Sequence, residues 1–175
     1  MIARVFLVEL GPDAELRLGR ELEHLGFDVV AFRPAGFFSL CNAQGCRCGP
    51  EQRCADILVY GCDCAQPDPF LAAEKQVHRN CKVNHIAMIS HNWTAPALMH
   101  AIAMGIKTFS LPLDTKRSLP WFRECRRQIP ATRVLTDWYR GAALPGDLRA
   151  HLDRARESGP QRARSGSEGA QSDPD

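Results

Sequence analysis

What the sequence lacks narrows it first. None of its apolar runs approaches the roughly 20 residues that a membrane-spanning helix needs. The opening MIARVFLVEL has neither a basic leader nor a small-residue cleavage signal, and Glu9 interrupts its apolar run. A strand is expected there, not a secretory signal. The net charge is only +2, and Arg and Lys are scattered without a dense stripe, which argues against nucleic acid or a membrane as partner. No glycine-rich phosphate loop of the P-loop or dinucleotide kind is present. The histidines show no HxxxH ligand spacing, and His85 and His100 stand alone. The expectation is a cytoplasmic protein whose 175 residues hold one well-buried domain.

Cysteine, by contrast, is plentiful. Six of the eight lie between Cys41 and Cys64. Where thiols are kept reduced, such clustering favours metal or redox chemistry over a disulfide framework. Small, buried apolar residues are the plainer alternative.

The rest of the chain alternates strands and helices. Ala3 to Val8 reads as a central strand buried on both faces. Asp13 is a candidate cap for a helix whose Leu18, Leu22 and Leu25 lie at i, i+4 and i+7, stopped by Gly26. Residues 27–32 form a second strand, which makes a βαβ unit with parallel strands. Residues 33–53 then show neither helix nor strand periodicity, so something other than a core is expected to hold them. Alternation resumes with a strand at 55–60 and a helix from Pro69 to about Arg79. A strand at 84–90 follows, then a helix capped by Thr94 with Leu98, Ala101 and Ile102 inward and Gly105 at its end. A strand at 106–111 and a helix from Leu119 to about Ile129 complete the set. Five strands alternating with helices predict an α/β fold with a five-stranded parallel, doubly wound sheet. The expected organisation is a domain over 1–130 with a cysteine-rich insertion at 33–54. An extension over 131–157 follows, partly helical from Asp147, and then a tail over 158–175 whose composition suits disorder.

The stretches VFLVELGPDAELRLGRELEHLGFDVVAF, CADILVYG, HIAMIS and IKTFSLP together resemble the receiver domain of two-component response regulators, over roughly residues 2–129. The segments Cys54-Ala55-Asp56-Ile57 and Cys81-Lys82-Val83 further resemble a cysteine-rich, degenerate subgroup of such receivers. The resemblance implies a phosphorelay signalling fold with protein partners, a histidine kinase or another signalling protein. It also implies a pocket with an acidic pair for Mg²⁺, an Asp phosphoacceptor, a hydroxyl and a lysine. The cation and the lysine offset the charge of an aspartyl phosphate.

Carried over position by position, the resemblance puts the acidic pair on Glu9 and Leu10, the phosphoacceptor on Gly61, the hydroxyl on Ser90 and the lysine on Leu111. One carboxylate and the hydroxyl survive, which argues against Mg²⁺ binding and against enzyme activity. Asp63, two residues past the acceptor position, is the alternative acceptor for a working phosphorelay regulator, and a loop or cap carboxylate is its plainer role.

Cys41, Cys46, Cys48 and Cys54 fall within 14 residues. Four thiolates suit tetrahedral zinc or another thiolate-bound metal, although the spacing is neither the C-x2-C knuckle nor a common ferredoxin pattern. Cys62, Cys64 and Cys81 are redox or disulfide candidates, and ordinary reduced thiols remain open throughout. Cys125 is expected to pack against the sheet. Ser90 and His91 are neighbours whose side chains leave a strand on opposite faces, so they do not make a nucleophile–base pair. Trp121, Phe122, Trp138 and Tyr139 read as packing residues near a surface that receivers use for docking. The reading is a stand-alone pseudo-receiver that signals by interaction, gated by metal or redox state at its cysteines.

Overall fold

The computed structural model describes residues 2–32, 48, 51–62 and 83–137. These contain the strands Arg4–Val8 (β1), Asp28–Phe32 (β2), Gln52–Arg53 (β3), Ile57–Gly61 (β4), His85–Ser90 (β5), Lys107–Ser110 (β6) and Val134–Leu135 (β7). The helices are Pro12–His24 (α1), Ala95–Ala103 (α2) and Thr115–Gln128 (α3). β2, β1, β4, β5 and β6 hydrogen-bond in that order into one sheet, every pair parallel. The first two strands are thus inverted in space relative to the chain, as in a doubly wound sheet.

β1 and β4 are buried along their whole length because both faces of the sheet are covered. Alternation divides their side chains. Phe6, Val8, Leu58, Tyr60 and Met88 join Ala101 of α2 on one face. Val5, Leu7, Ile57, Val59 and Ile89 meet Leu18 and Leu22 of α1 and Phe122 of α3 on the other.

Helix ends follow local chemistry, with three departures from expectation. Asp13 is not the cap of α1. Gly11 takes that position without a side-chain bond, Pro12 starts the helix, and Asp13 and Glu15 sit in the first turn, where the helix dipole favours acids. Gly26, at φ +80°, ends the helix as expected, and Arg126 donates to the Leu25 carbonyl at 2.6 Å. Thr94 caps α2, accepting from the Ala97 amide at 3.3 Å, but Ile102 is 59% exposed. Ala97 and Ala101 pack in the core cluster, Leu98 is half-buried, and Ile102 is turned about 100° from Ala101 toward solvent. α3 starts at Thr115, four residues ahead of the expected Leu119, because Asp114 accepts from the Lys116 amide at 2.9 Å and nucleates it. Pro120 lies inside the helix.

The segment ahead of the third expected strand is not wholly aperiodic. Gln52 and Arg53 pair in parallel with Val134 and Leu135, outside the main sheet. The expected helices at 69–79 and 147–156 and the tail lie outside the described residues.

Candidate functional site

The carboxyl ends of β1, β4, β5 and β6 converge on one edge of the sheet, and the sequence-predicted pocket residues gather there. Glu9, Leu10, Gly61, Cys62, His91 and Leu111 line a cleft of about 1270 Å³. Ser90 ends β5 beside it. Asp63 lies outside the described residues.

Glu9 shapes the floor. It follows β1 with φ +59°, a left-handed conformation uncommon for a residue other than glycine, and its amide donates to Phe32 O at 3.1 Å. This turn presses its backbone onto β4. A Cβ built at Gly61 would lie 2.3 Å from the Glu9 carbonyl oxygen, 2.9 Å from its carbonyl carbon and 3.2 Å from the Leu10 nitrogen. All three are backbone atoms and cannot swing aside. The acceptor position therefore lacks a side chain and also lacks the room for one.

The surviving carboxylate is engaged as well. The Tyr60 hydroxyl donates to Glu9 Oε2 at 2.5 Å. Burial, reinforced by that bond to Glu9, pushes the Tyr60 phenol well above the usual tyrosine range, so it stays a donor. Leu10 is buried. Ser90 is buried, and its Oγ accepts from the Asn92 amide at 3.1 Å, closing the turn after β5. Its carbonyl accepts from Leu111 N at 2.9 Å, placing an apolar side chain where the resemblance puts a lysine.

Divalent-cation binding, which this fold family implies, is not matched by these residues. A hard cation needs several oxygen ligands. Here one carboxylate is bonded by a phenol, its neighbour is Leu10, and Gly61 offers no side chain.

The cysteines divide. Cys48 and Cys54 are buried in the apolar cluster with Phe6, Leu58 and Met88, and Cys62 packs at its margin. Cys125 is buried on the opposite face, as expected, and burial pushes its thiol up to about 12. Among the described residues no group of three or more His, Cys, Asp or Glu side chains is placed to hold a metal ion. Cys41, Cys46, Cys64 and Cys81 lie outside those residues, as do Trp138 and Tyr139. Phe122 is core, and Trp121 packs edge-on to Phe109 at 5.7 Å between centroids. His91 is exposed while Ser90 is buried, consistent with neighbouring side chains on opposite faces.

Sequence reasoning missed Tyr60, Trp93 and the partners of Asp56. The Trp93 indole donates to Phe109 O at 2.8 Å, pinning the loop after β5 to β6. Asp56, at the head of an apolar strand, carried a readable signal: a carboxylate entering a core requires a cation. At the opposite end of the sheet from the cleft Arg133 supplies that cation, and the backbone amide of Arg4 adds a hydrogen bond to the same carboxylate.

No protein-family model matches the chain, and no curated protein matches it. Among solved structures it is similar to a CheY-like response regulator protein from Mesorhizobium loti. The identity is 15%, with 71% of this chain and 99% of that chain covered and a TM-score of 0.50. It is also similar to the signal receiver domain of a modulated diguanylate cyclase from Desulfovibrio desulfuricans G20. There the identity is 20%, with 74% and 100% covered and a TM-score of 0.49. The first of these likenesses, together with the five-stranded parallel sheet, shows that the chain has a receiver-like fold.

Proposed function

We propose that the chain is a pseudo-receiver: a signalling module that works by binding a protein partner and does not pass phosphate through its pocket. One observation carries the reading. The backbone of Glu9 fills the space that an acceptor side chain at Gly61 would need. The Tyr60–Glu9 bond and Leu111 support it from two further sides. Among the described residues the pocket offers no acceptor at Gly61, no free acidic pair at Glu9 and Leu10 and no lysine at Leu111, the parts that stabilise an aspartyl phosphate. Partner binding is then the activity left to the fold.

The input to such a module is the cysteine-rich segment. Cys48, Cys54, Cys62 and Tyr60 belong to one apolar cluster, so a change in thiol state there is felt at the cleft through packed side chains.

The test is intact-mass measurement after incubation with a small-molecule acyl phosphate and Mg²⁺. No phosphoryl adduct is expected. An adduct on most molecules, mapped to Asp63, would replace this reading with a phosphoacceptor regulator.

A further inference from the structure

Two features at the end of the sheet remote from the cleft play no part in that reading. One is Asp56, 0% exposed at the head of β4. The other is the run 133–137, which follows the last helix of the receiver fold. Arg133 joins them. Its Nε and Nη2 both donate to the Asp56 carboxylate, Nη2 to Oδ2 at 2.8 Å, and Nη2 also donates to the Ile2 carbonyl at 2.6 Å. The Arg4 amide donates to the same carboxylate at 2.9 Å. The Arg4 guanidinium extends the network outward, to Asp28 Oδ2 at 2.6 Å, Asp137 Oδ1 at 2.7 Å and the Thr136 carbonyl at 3.3 Å.

Backbone bonds run in parallel with these charges. Gln52 and Arg53 pair with Val134 and Leu135, and the Thr136 amide donates to Arg53 O at 2.9 Å. A carboxylate with no exposure must be charge-paired and hydrogen-bonded. Arg133 provides the forked, planar match that a lysine cannot.

We infer that residues 133–137 are a strap, closed by Arg133 on Asp56, that completes the fold and holds the exit of the cysteine-rich segment and the start of the C-terminal extension as one body. The strap ties the amino terminus at Ile2, the head of β4 and β3 to one five-residue run. Arg133 is a positioning residue, acting through Asp56 and the Ile2 carbonyl.

Amide hydrogen exchange on the full chain tests it. The Thr136 amide, bonded to Arg53 O, reports the strap. The Ile106 amide, bonded to Ala101 O at 2.9 Å beside α2, reports a part of the fold the strap does not touch. In Arg133→Lys, Thr136 is expected to exchange at least tenfold faster while Ile106 keeps its protection. Where Arg133→Lys does not fold, Asp56→Asn combined with Arg133→Met serves instead. It leaves no bare buried charge and keeps an acceptor for the Arg4 amide. Loss of Thr136 protection in that folded double variant supports the strap. Thr136 protection unchanged in either folded variant, or equal loss at Thr136 and Ile106, overturns it.

Discussion

The carbonyl oxygen of Glu9 occupies the space in which a side chain at Gly61 would begin, 2.3 Å from the ideal Cβ position. Real Cβ atoms do not approach backbone that closely, so β1 or β4 must shift when anything is added. Ordinarily Gly→Ala at a compatible site stabilises by about 0.4–1 kcal/mol through the unfolded chain. Here overpacking, at about 1–3 kcal/mol, is the larger effect and reverses the sign. Gly61→Ala is therefore expected to lose roughly 2 kcal/mol in urea denaturation. A variant as stable as the parent would remove the main support for the pseudo-receiver reading.

The same contact governs repair. Gly61→Asp with Leu111→Lys restores two missing groups in name, but the new carboxylate has nowhere to stand. This double variant is expected to remain free of phosphoryl adduct after treatment with an acyl phosphate and Mg²⁺, read by intact mass. It is also expected to be less stable than Leu111→Lys alone. A phosphorylated Asp at position 61 would mean that β1 yields easily.

His85 is expected to contribute to acid sensitivity. Burial holds its imidazole below the usual histidine range, and the nearby Asp56 carboxylate opposes this more weakly. A base whose folded pKa is depressed resists protonation in the folded state. Its contribution to stability is thus present above the unfolded value of 6.5 and is lost as pH falls below it. Unfolding midpoints are expected to fall between pH 7 and 5, and His85→Gln is expected to flatten that slope. A slope unchanged in His85→Gln would assign it to other groups.

Much of this fold is legible in the sequence. Apolar runs alternating with helix stripes place all five strands of the sheet, most plainly the central ones, which are apolar on both faces. That Glu9, Leu10, Gly61 and Leu111 share one cleft follows from their places at strand ends. What stayed hidden was what surrounds each position. Gly61 read as a missing side chain, whereas the left-handed turn at Glu9, a backbone feature with no sequence signature, turns it into an excluded one. The Arg133–Asp56 pair is 77 residues apart in the chain, and no local pattern links them. α3 begins earlier than expected because Asp114 caps it ahead of Thr115.

On the alkaline side, Tyr60 and Cys125 act together. Both have folded values raised by burial, Tyr60 also through Glu9 and Cys125 to about 12. An acid with a raised folded pKa stays neutral in the folded state while the unfolded chain ionises. The stability present below the unfolded values of 9.0 and 10.0 is thus lost as pH rises above them. Stability is expected to decline from about pH 9. Cys125→Ala should flatten the earlier part of the decline and Tyr60→Phe the later part. If neither variant alters the limb, these two groups do not set it.

Cys54 gives the sharpest contrast between a packed thiol and a ligand. It is 2% exposed, in the cluster that also holds Cys48, Phe6 and Leu58. If packing dominates, an apolar replacement of similar size keeps most of the stability. A hydroxyl carries a desolvation cost of about 1–3 kcal/mol where it finds no partner. Cys54→Val is therefore expected to stay close to the parent in thermal unfolding, and Cys54→Ser to fall well below it. A thiolate metal ligand reverses this logic, because Val and Ser both abolish coordination and the two variants fall together. Chelator treatment of the reduced parent separates the cases again. An unchanged midpoint with bound metal absent goes with packing. A lowered midpoint with stoichiometric zinc released goes with a cysteine-held metal, and would make the segment before β4 a metal-dependent part of the fold.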